Sequence, residues 1–239
     1  VYYKLRYDTL APPRKVGEKL VVIYPMDPVS IGGRIYQYIP GQRRVKLAPD
    51  LAYDTPSPQS GGVSTMDENG LFFGAPDRYD FKLAGKKEVF IMYNSYDMYD
   101  YKKCPEQVLI KPGFLSPDCA RWELHRTWQV EAKIKSQYRH IYPRRMLYID
   151  EDTWAAGASD NFDSSGKLFR ADFMGQYQYY NAGSTPVHNI TVGTHTVDFQ
   201  KGGYYVSVFM AYPGGGLVPV EPKPDTYYSP EALAGQGIR

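Results

Sequence analysis

Long hydrophobic runs and an excess of one charge are both missing from this chain of 239 residues. No apolar stretch approaches the roughly 18 residues that a membrane-spanning helix needs, and the mean hydropathy is −0.48. Basic and acidic residues number 28 and 26, which leaves a formal net charge of +2. The composition therefore argues against a helical membrane protein, and it lacks the basic patch that would indicate nucleic acid as a partner.

The common catalytic and cofactor motifs are also missing. The sequence has no G-x-S-x-G turn, no phosphate-binding loop and no G-x-G-x-x-G segment. Its histidines do not have the spacing of zinc ligands; they are His125, His140, His188 and His195. We therefore predict a protein that is not an enzyme and that has neither a cofactor nor a metal site. The alternative is an enzyme whose catalytic residues are dispersed along the chain, because triads are defined by geometry.

A leader peptide is not visible at the amino end. A leader combines a charged stretch, an apolar stretch and small residues. Here Val1 is followed directly by Tyr2-Tyr3-Lys4-Leu5-Arg6-Tyr7, which is typical of a strand. We expect this chain to begin inside a longer precursor.

Aromatic residues and turn formers, in contrast, are abundant. The chain has 23 Tyr, 10 Phe and 3 Trp, with 22 Gly and 19 Pro. Aromatic side chains suit the half-buried surface of a pleated sheet, and frequent Gly and Pro interrupt helices. The composition favours strands and turns, and β domains of this length often form a single unit.

The clearest strand runs from Arg121 to Ile134. Its odd positions are polar, and its even positions are apolar with the exception of Arg126. A period of two that is sustained over this range is typical of a strand and not of a helix. At about 3.3 Å per residue such a strand is about 45 Å long. Because long strands twist, we expect a curved sheet.

Shorter strands are predicted on both sides of this one, at 19–24, 33–39, 43–47, 87–99, 141–149, 168–180, 195–199 and 204–210. Turn residues join several of them into hairpins, which makes an antiparallel meander. Two short helices are expected. One begins at Ser64-Thr65-Met66-Asp67 and ends near Gly74, and the other begins at Ser229-Pro230-Glu231.

The two cysteines, Cys104 and Cys119, each lie beside a turn former. In an oxidising compartment such a pair indicates a disulfide, which is our prediction. Two buried thiols are the alternative. A metal site would need more ligands nearby, and His125 is the only close candidate.

Two polar features each have a structural and a functional interpretation. The carboxylates of Asp150-Glu151-Asp152, with Asp160 and Asp163 downstream, either bind calcium or bond their own backbone in tight turns; the spacing favours turns. Arg126 either pairs with a carboxylate of a neighbouring strand or faces a cavity and holds an anionic head group.

Seven segments, taken together, resemble one protein family. They are Tyr38 to Val45, Gly74 to Asp80, Lys86 to Glu88, Tyr93 to Tyr96, Glu123 to Arg126, Arg139 to Tyr142 and Tyr148 to Asp152. In this order they resemble the proteobacterial family known as domain of unknown function 1329. The resemblance covers roughly residues 30–210.

The resemblance implies an exported, periplasmic protein whose precursor carries a signal peptide. It also implies a mainly β fold similar to the lipoprotein carriers LolA and LolB: an open, curved antiparallel half-barrel with a few short helices. Such a half-barrel holds acyl chains on its concave face. Members tend to be encoded near exporters of the resistance–nodulation–division type, which implies a role in envelope transport and association with the outer membrane or an exporter.

The function we predict is a periplasmic carrier or chaperone for a lipid or another hydrophobic ligand. The residues predicted to line its ligand surface are Trp122, Leu124, Arg126, Trp128, Val130, Phe169, Phe173, Tyr177, Val206 and Val208. The same alternation would also fit a closed core. The alternative function is a non-catalytic scaffold that docks on an outer-membrane or exporter component, or that binds glycan through exposed tyrosines. We expect one domain at 1–212, which lacks an amino-terminal part of the precursor, followed by a Pro- and Gly-rich arm at 213–239.

Overall fold

The computed structural model describes residues 1–47, 53–57, 60–179, 188–208 and 220–235. Contacts between Cα atoms divide the chain into two compact units, Val1–Ala52 with Pro219–Arg239, and Tyr53–Val218. This division differs from the expected domain at 1–212 and arm at 213–239, because the first strands form a sheet of their own and the tail adds a helix to it. Within the described ranges, no helix is long and apolar enough to cross a bilayer.

The first unit is an antiparallel meander of four strands in chain order: β1 Tyr3–Asp8, β2 Lys19–Tyr24, β3 Arg34–Ile39 and β4 Arg44–Leu47. The expected turn between β3 and β4 is the 3-10 helix Pro40–Gln42. Helix α3, Pro230–Gly235, begins where the sequence predicted, and its Leu233 packs against Val21 and Tyr38. The unit therefore has its own small core.

The second unit is built on seven strands: β5 Tyr79–Met92, β8 Trp122–Ile134, β9 Arg144–Asp150, β10 Ala156–Phe162, β11 Leu168–Tyr179, β12 His188–Asp198 and β13 Gly203–Val208. They form one antiparallel sheet in the order β13-β12-β11-β10-β9-β8-β5. Between β5 and β8 the chain forms helices α1 Tyr96–Tyr99 and α2 Glu106–Leu109 and a hairpin of β6 Ile110–Lys111 and β7 Phe114–Leu115. The mainly β, antiparallel fold with few short helices is confirmed.

This large sheet is open but strongly curled. Strands β5 and β13 are its two edges, and they do not pair with each other in the part of the chain that the structure describes. The end of β5 nevertheless meets β10, although β8 and β9 lie between them in the sheet order: a Cβ added at Gly157 would lie 2.7 Å from Ile91 Cγ2. Just beyond β5, the Ser95 N–H donates to the Gln176 carbonyl of β11 at 2.8 Å. The curved sheet predicted from the long strand is therefore present, in the open half-barrel form that the family resemblance implied.

A disulfide fixes the loop between β5 and β8. Cys104 and Cys119 are bonded, with their Cα atoms 5.9 Å apart, as the sequence predicted. Both are buried in one cluster with Met92, Leu109 and Tyr177. Because Met92 belongs to β5 and Tyr177 to β11, this cluster packs the loop against two separated strands of the curled sheet.

Buried charged and hydrogen-bonding side chains fill the other side of the central strands. We call them the polar cluster: Asp67, Glu68, His140, Tyr142, Arg145, Arg170, Asp172 and Asp198, whose side chains are all buried. The alternation of the sequence did not predict this cluster, because charged residues are normally assigned to the solvated face of a strand.

The 3-10 turn Met66–Glu68 supplies two carboxylates of the polar cluster. Arg145 Nη2 donates to Asp67 Oδ2 at 2.6 Å, and His140 Nε2 lies 3.2 Å from the same oxygen. The expected helix in this region is shorter than predicted and starts at Thr65, whose backbone N–H donates to the Glu68 carboxylate. It does not reach Gly74, because the chain turns through positive φ at Gly70 and Leu71.

A second set of bonds connects Glu68 to the sheet. Glu68 Oε1 accepts from the Tyr142 hydroxyl at 2.6 Å, and that hydroxyl accepts from Arg170 Nη1 at 2.7 Å. Arg170 Nε donates to Asp198 Oδ2 at 3.0 Å. Burial, with the nearby Asp172 carboxylate, raises the pKa of Glu68 to about 8, so Glu68 holds a proton at neutral pH.

Replacement of both Cys104 and Cys119 by Ser should lower the free energy of unfolding by about 3 kcal/mol, the loop-closure contribution for cysteines 15 residues apart. Urea unfolding of the double variant, beside oxidised and reduced wild type, measures this loss. A double variant as stable as oxidised wild type would contradict the prediction.

The raised pKa of Glu68 predicts that stability falls with rising pH. The folded protein keeps this proton up to pH about 8, whereas the unfolded chain loses it near 4.5. Between these values each pH unit should lower the free energy of unfolding by up to about 1.4 kcal/mol. Glu68→Gln should flatten this part of the profile, measured by urea unfolding from pH 5 to pH 9.

The matched control is Glu106→Gln, at an exposed carboxylate. This variant should follow the wild-type profile. Parallel profiles for wild type and Glu68→Gln would show that Glu68 does not hold the proton.

Candidate functional site

The apolar side of β8 forms a two-stranded face with β5. Directly opposed residues of an antiparallel pair project to the same side, and Phe90 lies opposite Leu124, as Leu83 does opposite Val130. A bulge between Leu83 and Gly85 preserves this arrangement. We call the set formed by Phe81, Leu83, Phe90, Trp122, Leu124, Trp128 and Val130 the apolar face.

Most of the apolar face is accessible to solvent. The exposed fraction is 61% for Phe90, 60% for Leu83 and 55% for Leu124. Phe81 and Trp122 are exposed as well, and Trp128 and Val130 are half-buried. Single exposed apolar residues are normal, but several large apolar residues grouped on one side of two strands indicate a binding surface. The alternation of β8 fitted either a groove or a closed core, and the exposure of these residues argues against the closed core.

Charged side chains cross the middle of the apolar face. Arg126 was expected to be buried among apolar neighbours, but its side chain is 62% exposed, because it extends to Glu151 in the turn that follows β9. Its Nε donates to the Glu151 carboxylate, so the paired interpretation of Arg126 is confirmed. Lys86 Nζ also contacts Glu151, at 2.6 Å, and lies 4.1 Å from the centre of the Trp128 ring.

Three of the other predicted lining residues belong to the disulfide cluster. Tyr177 is buried there, and Phe173 and Val206 pack against it. The Trp122 ring meets the Phe173 ring edge-on, with 5.3 Å between the centroids. The curled sheet thus brings the amino end of β8 next to β11.

The last two predicted lining residues are not part of this arrangement. Phe169 packs edge-on against Tyr142 of the polar cluster, with centroids 5.6 Å apart. The side chain of Val208 lies outside the described residues. The predicted lining is therefore divided among separate places, and only its β8 members lie on the apolar face.

Sequence reasoning missed the β5 half of the apolar face. It predicted a strand at 87–99, whereas β5 begins at Tyr79 and ends at Met92. Asn94, at φ 50°, stops the strand. Phe81 and Leu83 alternate with polar residues, but the bulge at Gly85 shifts this alternation by one position before Phe90. An alternation with one such shift is the signal by which the sequence could have revealed these three residues.

On the opposite side of β8, His125 lies among carboxylates. Its Nδ1 is 2.9 Å from Asp150 Oδ1, and its Nε2 is 3.6 Å from Glu123 Oε2. One ligand atom each of His125, Asp150 and Asp152 lie within 4.8 Å of one another. The Tyr93 ring packs on the imidazole at 4.1 Å. We call His125, Asp150 and Asp152 the His–Asp group.

The hydrogen bonds of the turn interpretation are present beside the His–Asp group. Asp150 Oδ2 accepts from the Thr153 N–H at 3.0 Å and from its hydroxyl at 2.7 Å. Asp163 Oδ1 accepts from the backbone of Ser165 and Lys167 in the same way. The turn function uses one oxygen of Asp150 and leaves the other facing His125.

Four of the seven segments that carry the family resemblance meet at this part of β8. Lys86 and Arg126 bind Glu151, and Asn94 Nδ2 donates to Glu123 Oε1 at 2.9 Å. These contacts join the segments Lys86 to Glu88, Tyr93 to Tyr96, Glu123 to Arg126 and Tyr148 to Asp152. The two sides of β8 at His125 and Arg126 are therefore the candidate functional site.

A curated relative extends beyond this chain. An uncharacterised protein of Pseudomonas aeruginosa, strain PAO1, is 43% identical over 180 residues, which are 75% of this chain and 39% of that protein. The chain thus spans well under half the length of this relative.

Two solved structures are similar in fold. A crystal structure of a DUF1329 family protein from Desulfovibrio piger has a TM-score of 0.55 at 13% identity, over 94% of this chain and 74% of that one. A candidate outer membrane lipoprotein-sorting protein domain from Vibrio parahaemolyticus has a TM-score of 0.54 at 10% identity, with the same coverage of 94% and 74%. These likenesses confirm the expected fold.

The sequence profile of the family described as protein of unknown function (DUF1329) matches residues 1–234, nearly the whole chain. The resemblance noted in the seven segments is confirmed, and this chain belongs to the DUF1329 family.

Proposed function

We propose that this protein is a non-catalytic periplasmic carrier or chaperone that binds a lipid or another hydrophobic ligand on the apolar face. The observation that carries the proposal is the exposure of large apolar side chains on one side of β5 and β8. Burial of each ligand CH₂ against such a surface stabilises a complex by about 0.8 kcal/mol.

The surroundings of the apolar face suit an amphipathic ligand. Phe90 and Leu124 lie on one side of the charged groups, and Leu83 and Val130 lie on the other. Between them, the exposed guanidinium of Arg126 and the ammonium of Lys86 are available to an anionic head group, with Glu151 as their partner when no ligand is bound. In this proposal hydrocarbon lies on the apolar side chains and the polar part lies near Arg126.

The polar cluster limits where such a ligand can bind. Ala132 of β8 lies directly opposite Arg145 of β9, and Asn161 of β10 lies directly opposite both Arg145 and Arg170. Directly opposed residues project to the same side, so the polar cluster lies on the side of the sheet that carries the apolar face. Around Arg145, Asn161 and Arg170 that side is filled by buried charged and polar side chains, against which hydrocarbon would be unfavourable. The proposed ligand surface therefore consists of β5 and β8.

The fold supports this role by analogy alone. The Vibrio parahaemolyticus domain, whose name describes candidate sorting of outer membrane lipoproteins, shares the curled sheet. By the same analogy, the periplasm is the location that we propose for this protein. The second candidate function is docking on an outer-membrane or exporter component, for which the same apolar face would be the contact surface.

Leu124→Glu should weaken binding of a fluorescent acyl probe at least about tenfold, because the new carboxylate would lose water against hydrocarbon. Leu124 is 55% exposed, so the fold should persist and the thermal midpoint should change little. Probe fluorescence and thermal unfolding of the same samples measure both quantities. Leu10→Glu is the matched control, since Leu10 is 85% exposed and lies in the other unit.

Two results would contradict the carrier proposal. One is a wild-type protein that binds no acyl probe and yields no lipid in mass spectrometry of organic extracts. The other is a folded Leu124→Glu variant that binds the probe as wild type does. Either result would favour the docking function.

A further inference from the structure

We propose that the His–Asp group is a binding site for one divalent transition-metal cation, held by His125, Asp150 and Asp152. This site lies on the side of β8 opposite the apolar face, and it is independent of the carrier proposal.

The three side chains lie close enough to hold one ion after a small movement of Asp152. Two ligands at about 2.1 Å from one ion are about 3.0 to 3.4 Å apart. The His125 Nδ1 and Asp150 Oδ1 atoms are 2.9 Å apart, and the Asp152 ligand atom completes a set in which no separation exceeds 4.8 Å. Asp152 is exposed, so a small rotation of its side chain can bring the third ligand to the ion, and the site is open to solvent for entry.

The charges around His125 also favour a cation. Asp150 is completely buried, and within the described residues its carboxylate has no Lys or Arg partner. Arg126 and Lys86 bind Glu151 instead, and Arg121 binds Glu123. Buried carboxylates are found hydrogen-bonded, paired with a cation or bound to a metal; Asp150 has hydrogen bonds from Thr153. A divalent ion would add the full positive charge that no Lys or Arg supplies here.

Neighbouring residues hold the ligands in place. Thr153 occupies Asp150 Oδ2 through two hydrogen bonds, so Oδ1 is directed to His125. The Tyr93 ring supports the imidazole. Asn94 fixes Glu123, whose other oxygen lies on the Nε2 side of the ring. Such outer contacts orient ligands and raise metal affinity.

The donor set indicates the class of metal. Imidazole nitrogen suits zinc, iron, nickel and copper, while carboxylate oxygen suits manganese as well. One nitrogen and two oxygens therefore favour a first-row divalent transition cation over Mg²⁺ or Ca²⁺, which prefer oxygen alone. Thiolates do not compete for the ion, since neither cysteine is free.

Isothermal titration calorimetry with Zn²⁺ and with Mn²⁺, on tag-free and chelator-treated full chain, tests the site. Wild type should bind one equivalent. Asp152→Asn, which changes an exposed ligand, and His125→Gln should each weaken binding at least about tenfold. Asp80→Asn, at an exposed carboxylate of β5 outside the group, should bind as wild type does.

Circular dichroism and thermal unfolding without metal establish that each variant is folded. Metal should also raise the thermal midpoint of wild type and leave those of Asp152→Asn and His125→Gln nearly unchanged. Absence of saturable binding to wild type would overturn the proposal. Equal affinity in wild type and both ligand variants would show an adventitious ion only, and would overturn it as well.

Discussion

The burial of two arginine side chains constrains the centre of the second unit more than any hydrophobic contact does. Arg145 and Arg170 lie within the sheet with almost no exposure, and each requires a carboxylate. Those carboxylates come partly from the turn Met66–Glu68, and Asp67 is 78 positions away from Arg145 in the sequence. The turn must therefore lie on the sheet, because an unpaired buried guanidinium would be strongly destabilising.

This constraint gives one side of the sheet two different characters. Around Arg145 and Arg170 it is covered and charged, and at Leu83, Phe90 and Leu124 it is exposed and apolar. Strand β8 lies at the boundary, with Arg126 on the uncovered side and His125 on the opposite side. The two proposed binding surfaces therefore share one strand.

Most strands of this fold could be predicted from the sequence, but the residues that cover each side of a strand could not. The alternation from Arg121 to Ile134 predicted β8, and two cysteines beside turn formers predicted the disulfide. Alternation reports which residues share a side, but it does not report what covers that side. The exposure of Leu124 therefore had to come from the structure.

The candidate site was harder to predict for two physical reasons. The partner strand β5 contains a bulge at Gly85 that breaks its period of two, so Leu83 and Phe90 do not appear as one series. His125 and Asp150 are 25 positions apart and meet only because β8 and β9 pair. Spacing rules for metal ligands recognise short motifs, and they do not detect ligands that strand pairing brings together.

The position of β5 at the margin of the sheet also limits self-association. A long edge strand with an apolar side is a template for pairing with a second molecule. Here the bulge at Gly85 twists the strand, and Lys82, Lys86 and Lys87 place like charges beside it, which would repel an identical edge. The irregularity that hides the alternation of β5 thus also makes this edge a poorer template for pairing with a second molecule.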